Sequence, residues 1–88
     1  MFNPSNQDTP YGKIATVADI GRLIRRKRKE IGARQENAAA LSGVGTTFLS
    51  HLENGKETVE LGKTLQVLKS LGLEIYIYPR SLNPLKDR

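Results

Sequence analysis

Between Gln35 and Asn54 the chain reads QENAAALSGVGTTFLSHLEN, and this stretch leaves few ways to fold. Its first half, residues 35 to 42, is rich in alanine, which lets a neighbouring backbone approach closely. Gly43 follows where a helix C-terminus calls for a residue tolerant of positive φ. Val44 can plug the turn, and Gly45 stands at the next N-cap with two threonines after it. Leu49 and Leu52, three apart, turn one face of the second helix inward. The outward face is then Thr46, Thr47, Ser50 and His51, all polar.

Two short helices about a glycine turn make a helix-turn-helix, and the flanks supply what such a unit needs. Residues 1 to 14 carry prolines, asparagines and no apolar period, and read as a flexible arm. Thr16 with Asp19 has the form of an N-cap and an acidic third position. From there Val17, Ile20, Ile24 and Ile31 recur at helical spacing, with Leu23 beside them, and predict one buried stripe on a helix ended by Gly32. Between the apolar positions lie Arg22, Arg25, Arg26, Lys27, Arg28 and Lys29, answered locally only by Glu30. Alone, such a run is a solvated helix face. Beside a helix-turn-helix it points to phosphate attraction; spacing does not decide which of the six meet phosphate, and Arg25 and, ahead of the second helix, Arg34 stand as the candidates.

Downstream, Asn54-Gly55 stops the reading helix and Lys56-Glu57-Thr58 forms a polar loop. Val59, Leu61, Leu65, Leu68 and Leu71 repeat at helical intervals, so a fourth helix over about residues 61 to 70 is expected to turn its leucines into the core, with Thr64 and Lys69 outside and Val67 flanking. At Leu73-Glu74-Ile75-Tyr76-Ile77-Tyr78 the period changes to two, and Pro79 ends the run, which predicts a strand. A lone strand leaves its backbone groups unpaired. Residues 11 to 15 offer a weak partner; the more economical one is the same strand of a second subunit. The expected order is an arm (1–14), a DNA-binding domain (15–72), a dimerisation strand (73–79) and a loose tail (80–88).

Composition narrows the function. With 88 residues, 38% of them apolar, the chain can bury one small helical core, and a partner subunit is a reasonable expectation. No cysteine and one histidine leave no thiolate or zinc site, so no metal or cofactor is expected. No apolar run approaches the ~20 residues of a membrane span, which with a polar N-terminus predicts a cytoplasmic protein with no membrane partner. A net charge of +5 favours a polyanion. No paired-carboxylate motif or phosphate-binding glycine loop is present, and Ser50 and His51 project about 100° apart on a helix, too far round to form a nucleophile–base pair, so no enzyme is expected.

Gln35, Ala39, Gly43, Val44, Leu49, Leu52 and the triplet Glu53-Asn54-Gly55 together resemble the Cro/phage-repressor (Xre) type of helix-turn-helix, over roughly residues 17 to 73. The stretch FLSHLENGKETVELGKTLQVLKSLGL followed by a short strand is similar, more narrowly, to the HipB-like antitoxins that partner HipA-like serine/threonine kinase toxins. The resemblance implies an all-α, lambda-repressor-like domain of four to five helices, with a short C-terminal strand pairing across a dimer. It implies that Gln35 binds a phosphate oxygen and braces the reading helix, that Thr46, Thr47, Ser50 and His51 face the major groove, and that Asn54 and Lys56 meet the sugar-phosphate backbone. It places Arg28 and Glu53 in a largely buried ion pair; Leu73, Ile75, Tyr76, Ile77 and Tyr78 are the dimer contact expected of the period-two run. The chain departs from the family in two places. Both first reading positions are threonine where arginine or lysine is common, and Ala38 stands where leucine is common. Phe48, on the margin of the reading helix, is expected to tuck against the second helix, the alternative being a direct contact with thymine or sugar. The function so implied is a dimeric repressor on double-stranded operator DNA that also neutralises a HipA-like kinase toxin. The alternatives are a stand-alone phage-type Xre repressor and a small adaptor that has lost DNA binding.

Overall fold

The computed structural model describes residues 12 to 82, so the expectations for the first eleven residues and for residues 83 to 88 lie outside it. Four α-helices follow in order: α1 (Val17–Glu30), α2 (Gln35–Ser42), α3 (Thr46–Glu53) and α4 (Leu61–Ser70), then a 3-10 turn (Arg80–Leu82). The all-α expectation holds.

Each boundary has a local cause. Thr16 and Asp19 cap α1 reciprocally: Thr16 Oγ1 accepts from the Asp19 N–H at 3.1 Å, and Asp19 Oδ2 accepts from the Ala15 and Thr16 N–H groups at 2.7 and 3.0 Å. These backbone donors, Ala15 first, and then the Arg22 guanidinium hold the Asp19 carboxyl below its ordinary range. Gly43 closes α2 at φ 72°, a left-handed conformation that a side chain would strain. The Val44 N–H then donates back to Ala39 at 3.0 Å, and Val44 packs half-buried against the core.

The core is Ile24 of α1, Ala38 and Ala39 of α2, Leu49 and Leu52 of α3, and Val67, Leu68 and Leu71 at α4. Helix α3 lies against α1, and α2 bridges α3 and α4. Two alanines are what allow α2 into the middle: Ala38, in place of a leucine, is fully buried and lets the helices close on it. The α1–α3 crossing is closer still. A Cβ on Gly21 would run into the Leu52 carbonyl oxygen, and one on Gly55 would lie 2.9 Å from Ala18 Cα.

Several expectations need correction. Ile31 does not join the buried stripe, because α1 ends at Glu30 and the chain turns at Ile31, leaving it 51% exposed. On α4 the inward face is Thr64, Val67, Leu68 and Leu71, a spacing of three, four and seven, while Leu61 and Leu65 stay exposed. The leucine repeat placed Thr64 outside and Val67 only at the flank of the buried stripe. Thr64 tolerates burial because its hydroxyl donates to the Glu60 carbonyl at 2.9 Å. Leu73 to Pro79 is not a strand in the single chain, since none of the described residues runs beside it as a ladder partner. Lastly, residues 80 to 82 of the expected loose tail form the 3-10 turn.

Candidate nucleic-acid interface

The inward residues of α3 determine what it shows outside. Leu49 and Leu52 are fully buried and Glu53 nearly so. At about 100° per residue this turns Thr46, Thr47 and His51 into solvent and leaves Ser50 half-exposed between them. Asn54 caps the helix, and both it and Lys56 are exposed in the turn that follows. The Lys56 N–H donates to the His51 carbonyl at 3.0 Å, which binds that loop to the end of α3.

Beneath this face lies a polar knot joining three helices. Arg28 donates through Nε to Glu53 Oε2 at 2.6 Å and through its second fork to Oε1 at 2.9 Å. Its remaining amino group donates to the Ala33 carbonyl at 2.9 Å. Gln35, the first residue of α2, donates its amide to the same Glu53 Oε1 at 3.0 Å. The side chains are 11% exposed for Arg28 and 3% for Glu53, so the pair is screened little by solvent. Burial alone would raise the Glu53 carboxyl, but the hydrogen bonds from Arg28 and Gln35, with the nearby guanidinium groups of Arg28 and Arg25, outweigh it and leave Glu53 below its ordinary range. The Arg28 guanidinium is correspondingly raised by its bonds to Glu53.

The knot divides the basic run. Arg28 is committed inside. Arg22 pairs with Asp19, and Arg26 with Glu30 at 3.2 Å, both on the surface. Arg25 is exposed yet close enough to act on Glu53, so it stands on the side of α1 that faces the end of α3. Arg34, also exposed, is the N-cap residue of α2, one position before Gln35. Gln35 thus meets one margin of α3 directly, Arg25 acts on the same carboxylate, and Arg34 precedes Gln35 in the chain. The Phe48 ring lies half-buried against the core, with the Lys63 ammonium 5.8 Å over its centre.

Leu73, Ile75, Tyr76, Ile77 and Tyr78 lie elsewhere, beyond α4. Ile77 is 91% exposed, and Leu65, Leu68, Leu73, Ile75 and Tyr76 line an open groove of about 440 Å³. Among the described residues no group of acidic, histidine or cysteine side chains could hold a metal ion, and no helix is long and apolar enough to cross a membrane.

Two residues were not singled out by sequence. Gly21 carries a signal, because a glycine inside a helix costs roughly 1 kcal/mol against alanine and so marks a close packing contact. Lys63 carries none, since its partner Phe48 is remote in sequence.

No family model matches the chain. The chain is 51% identical over 65 residues to the uncharacterized HTH-type transcriptional regulator y4mF of Sinorhizobium fredii (strain NBRC 101917 / NGR234), an alignment spanning 74% of this chain and 86% of that relative. Its fold matches a chain of the HipA–HipB–O2–O3 complex with a TM-score of 0.72 at 21% identity, over 80% of this chain and 99% of that one. It also matches the restriction-modification controller protein C.AhdI from Aeromonas hydrophila with a TM-score of 0.59 at 29% identity, over 66% and 84% of the two chains. The likeness to the HipB complexes establishes a shared fold. With 51% of 65 aligned residues identical across most of a relative's length, and with α2 and α3 set about the Gly43 turn, the chain belongs to the HTH-type transcriptional regulators.

Proposed function

We propose that the protein is a sequence-specific DNA-binding repressor, acting as a dimer on an inverted repeat and serving as the antitoxin of a HipA-like serine/threonine kinase toxin. The observation that carries the DNA reading is the outward face of α3, polar and exposed, with Gln35 bonded to Glu53 at its margin and the charges of Arg25 and Arg34 on the flanking elements. A major groove about 12 Å wide admits such a helix. Thr46 and Thr47 would offer hydroxyls and methyls to base edges, the methyls suited to thymine, while Ser50 and His51 supply the remaining polar contacts. Gln35 gives one amide hydrogen to Glu53 and keeps a second for a phosphate oxygen. Asn54 and Lys56 would meet the backbone beyond the helix, so affinity should fall steeply with salt.

Dimerisation is assigned to the C-terminal side. Leu73, Ile75, Tyr76, Ile77 and Tyr78 would pair with their copies as a two-stranded ribbon, with Leu61 and Leu65 of α4 beneath it. Burying them would remove an apolar surface that a single chain leaves in water. Two reading helices would then lie about one helical turn, ~34 Å, apart on the operator. The toxin role is supported by the fold shared with a chain of a complex that holds both HipA and HipB. The test is a gel shift with DNA upstream of the protein's own coding region, followed by co-expression with any neighbouring kinase-like open reading frame. A specific shift with co-purification of the kinase is expected. A shift without a kinase partner would leave the stand-alone repressor, and no shift would sink the DNA reading.

A further inference from the structure

The α3 helix has two margins, one bordered by Glu53 and the other by Phe48. Phe48 and Glu53 lie about 140° apart around the helix axis on the buried side, so they border the outward face from opposite edges. Gln35, Arg25 and Arg34 belong to the Glu53 edge. At the Phe48 edge the neighbour is α4, whose third residue, Lys63, sets its ammonium 5.8 Å over the ring. The Gln66 amide donates to the Ser42 carbonyl at 3.3 Å, which fixes this part of α4 to the end of α2 and hence beside the turn into α3. Lys63 is half-exposed and carries a charge that the ring face attracts without neutralising.

We propose that Lys63 is a second phosphate clamp: held over Phe48, it contacts the DNA strand across the groove from the one met at the start of α2. This rests on the DNA reading above. A helix seated in the major groove has a phosphate backbone on each side, and contacts to both fix its register. The first edge provides Gln35 and arginines. At the second edge the cation over the ring is Lys63. The cation–π contact keeps a long, mobile side chain at the rim, so less conformational freedom is lost when a phosphate arrives. Glu60 Oε2 lies 3.8 Å from the Lys63 ammonium in a solvent-exposed pair. Such pairs are weak, and a phosphate displaces the carboxylate. Glu60 therefore acts as a competitor that lowers affinity.

The experiment is fluorescence anisotropy of the full chain with two 30-base-pair duplexes, one from directly upstream of its own coding region and one of unrelated sequence, across a salt series. Lys63→Gln should make the log–log salt dependence shallower by about 0.9 per protomer and weaken binding about eightfold for each lysine at 0.1 M salt, on both duplexes alike. Its melting temperature should equal that of the wild type. Glu60→Gln should tighten binding to both. A Lys63→Gln protein with the wild-type salt slope would overturn the proposal, whether its affinity is kept or reduced, because reduction at constant slope marks a distortion of the fold instead of a lost phosphate. A wild-type chain that bound neither duplex would overturn the DNA reading beneath it.

Discussion

The seam between α1 and α3 and the face formed by α4 with the chain after it are built on opposite terms. At the seam, charge and backbone are brought into close contact and satisfied inside one chain: Arg28 and Gln35 converge on Glu53, and Gly21 and Gly55 let the backbones touch. Beyond α4, apolar side chains are left in water, with Leu61, Leu65, Ile75, Tyr76, Ile77 and Tyr78 all exposed. The half that presents α3 is finished by its own residues. The other half leaves its apolar side chains exposed in the single chain. The close packing and the exposed apolar surface are thus lodged in different places, and a substitution should affect one with little effect on the other.

The sharpest break of this contrast is Arg28→Ala, which strands Glu53 as a buried charge and should cost about 3–5 kcal/mol, read by urea unfolding. For a domain of this size that approaches the whole of its stability. A variant with an unchanged midpoint would mean that the seam does not carry the fold. Gly21→Ala should come next, losing about 1–3 kcal/mol, because its methyl meets a backbone carbonyl that cannot rotate away. Acid should find the same seam. Glu53 is held below its ordinary range, so its contribution is present above the unfolded value of about 4.3 and is lost as the pH falls through the lower folded value, where the unfolded chain binds more protons than the native one. Urea midpoints below about pH 4.3 should therefore drop with pH in the wild type and less so in Glu53→Gln. At the other face, Ile77→Lys should shift unfolding of the isolated chain by no more than about 0.5 kcal/mol while abolishing self-association in sedimentation. A dimer that survived would locate the contact elsewhere.

The legible parts of the fold were those decided by neighbours in sequence. The capping pair Thr16 and Asp19, the left-handed Gly43 and the α4 bounds are local chemistry, and the structure repeats them. The outward face of α3 was legible for the same reason, since Leu49 and Leu52 determine its phase. What depended on a distant element was not. Thr64 and Val67 point inward because α2 lies against that side of α4, and a leucine repeat has two admissible phases. Ile31 has apolar character, but the helix that would have buried it stops one residue earlier. Residues 73 to 78 show the period of a strand, and period alone supplies no partner for their backbone groups.

The central claim is that α3 reads DNA with Thr46 and Thr47 while the seam behind it only presents the helix. The direct measurement is the ratio of affinities of Thr46→Ala/Thr47→Ala for the protein's own upstream duplex and for an unrelated one, beside its urea midpoint. Both side chains are exposed, so the midpoint should stay within about 0.5 kcal/mol of the wild type while the preference falls at least about tenfold. A preserved midpoint together with an unchanged preference would contradict the account and move base recognition away from α3.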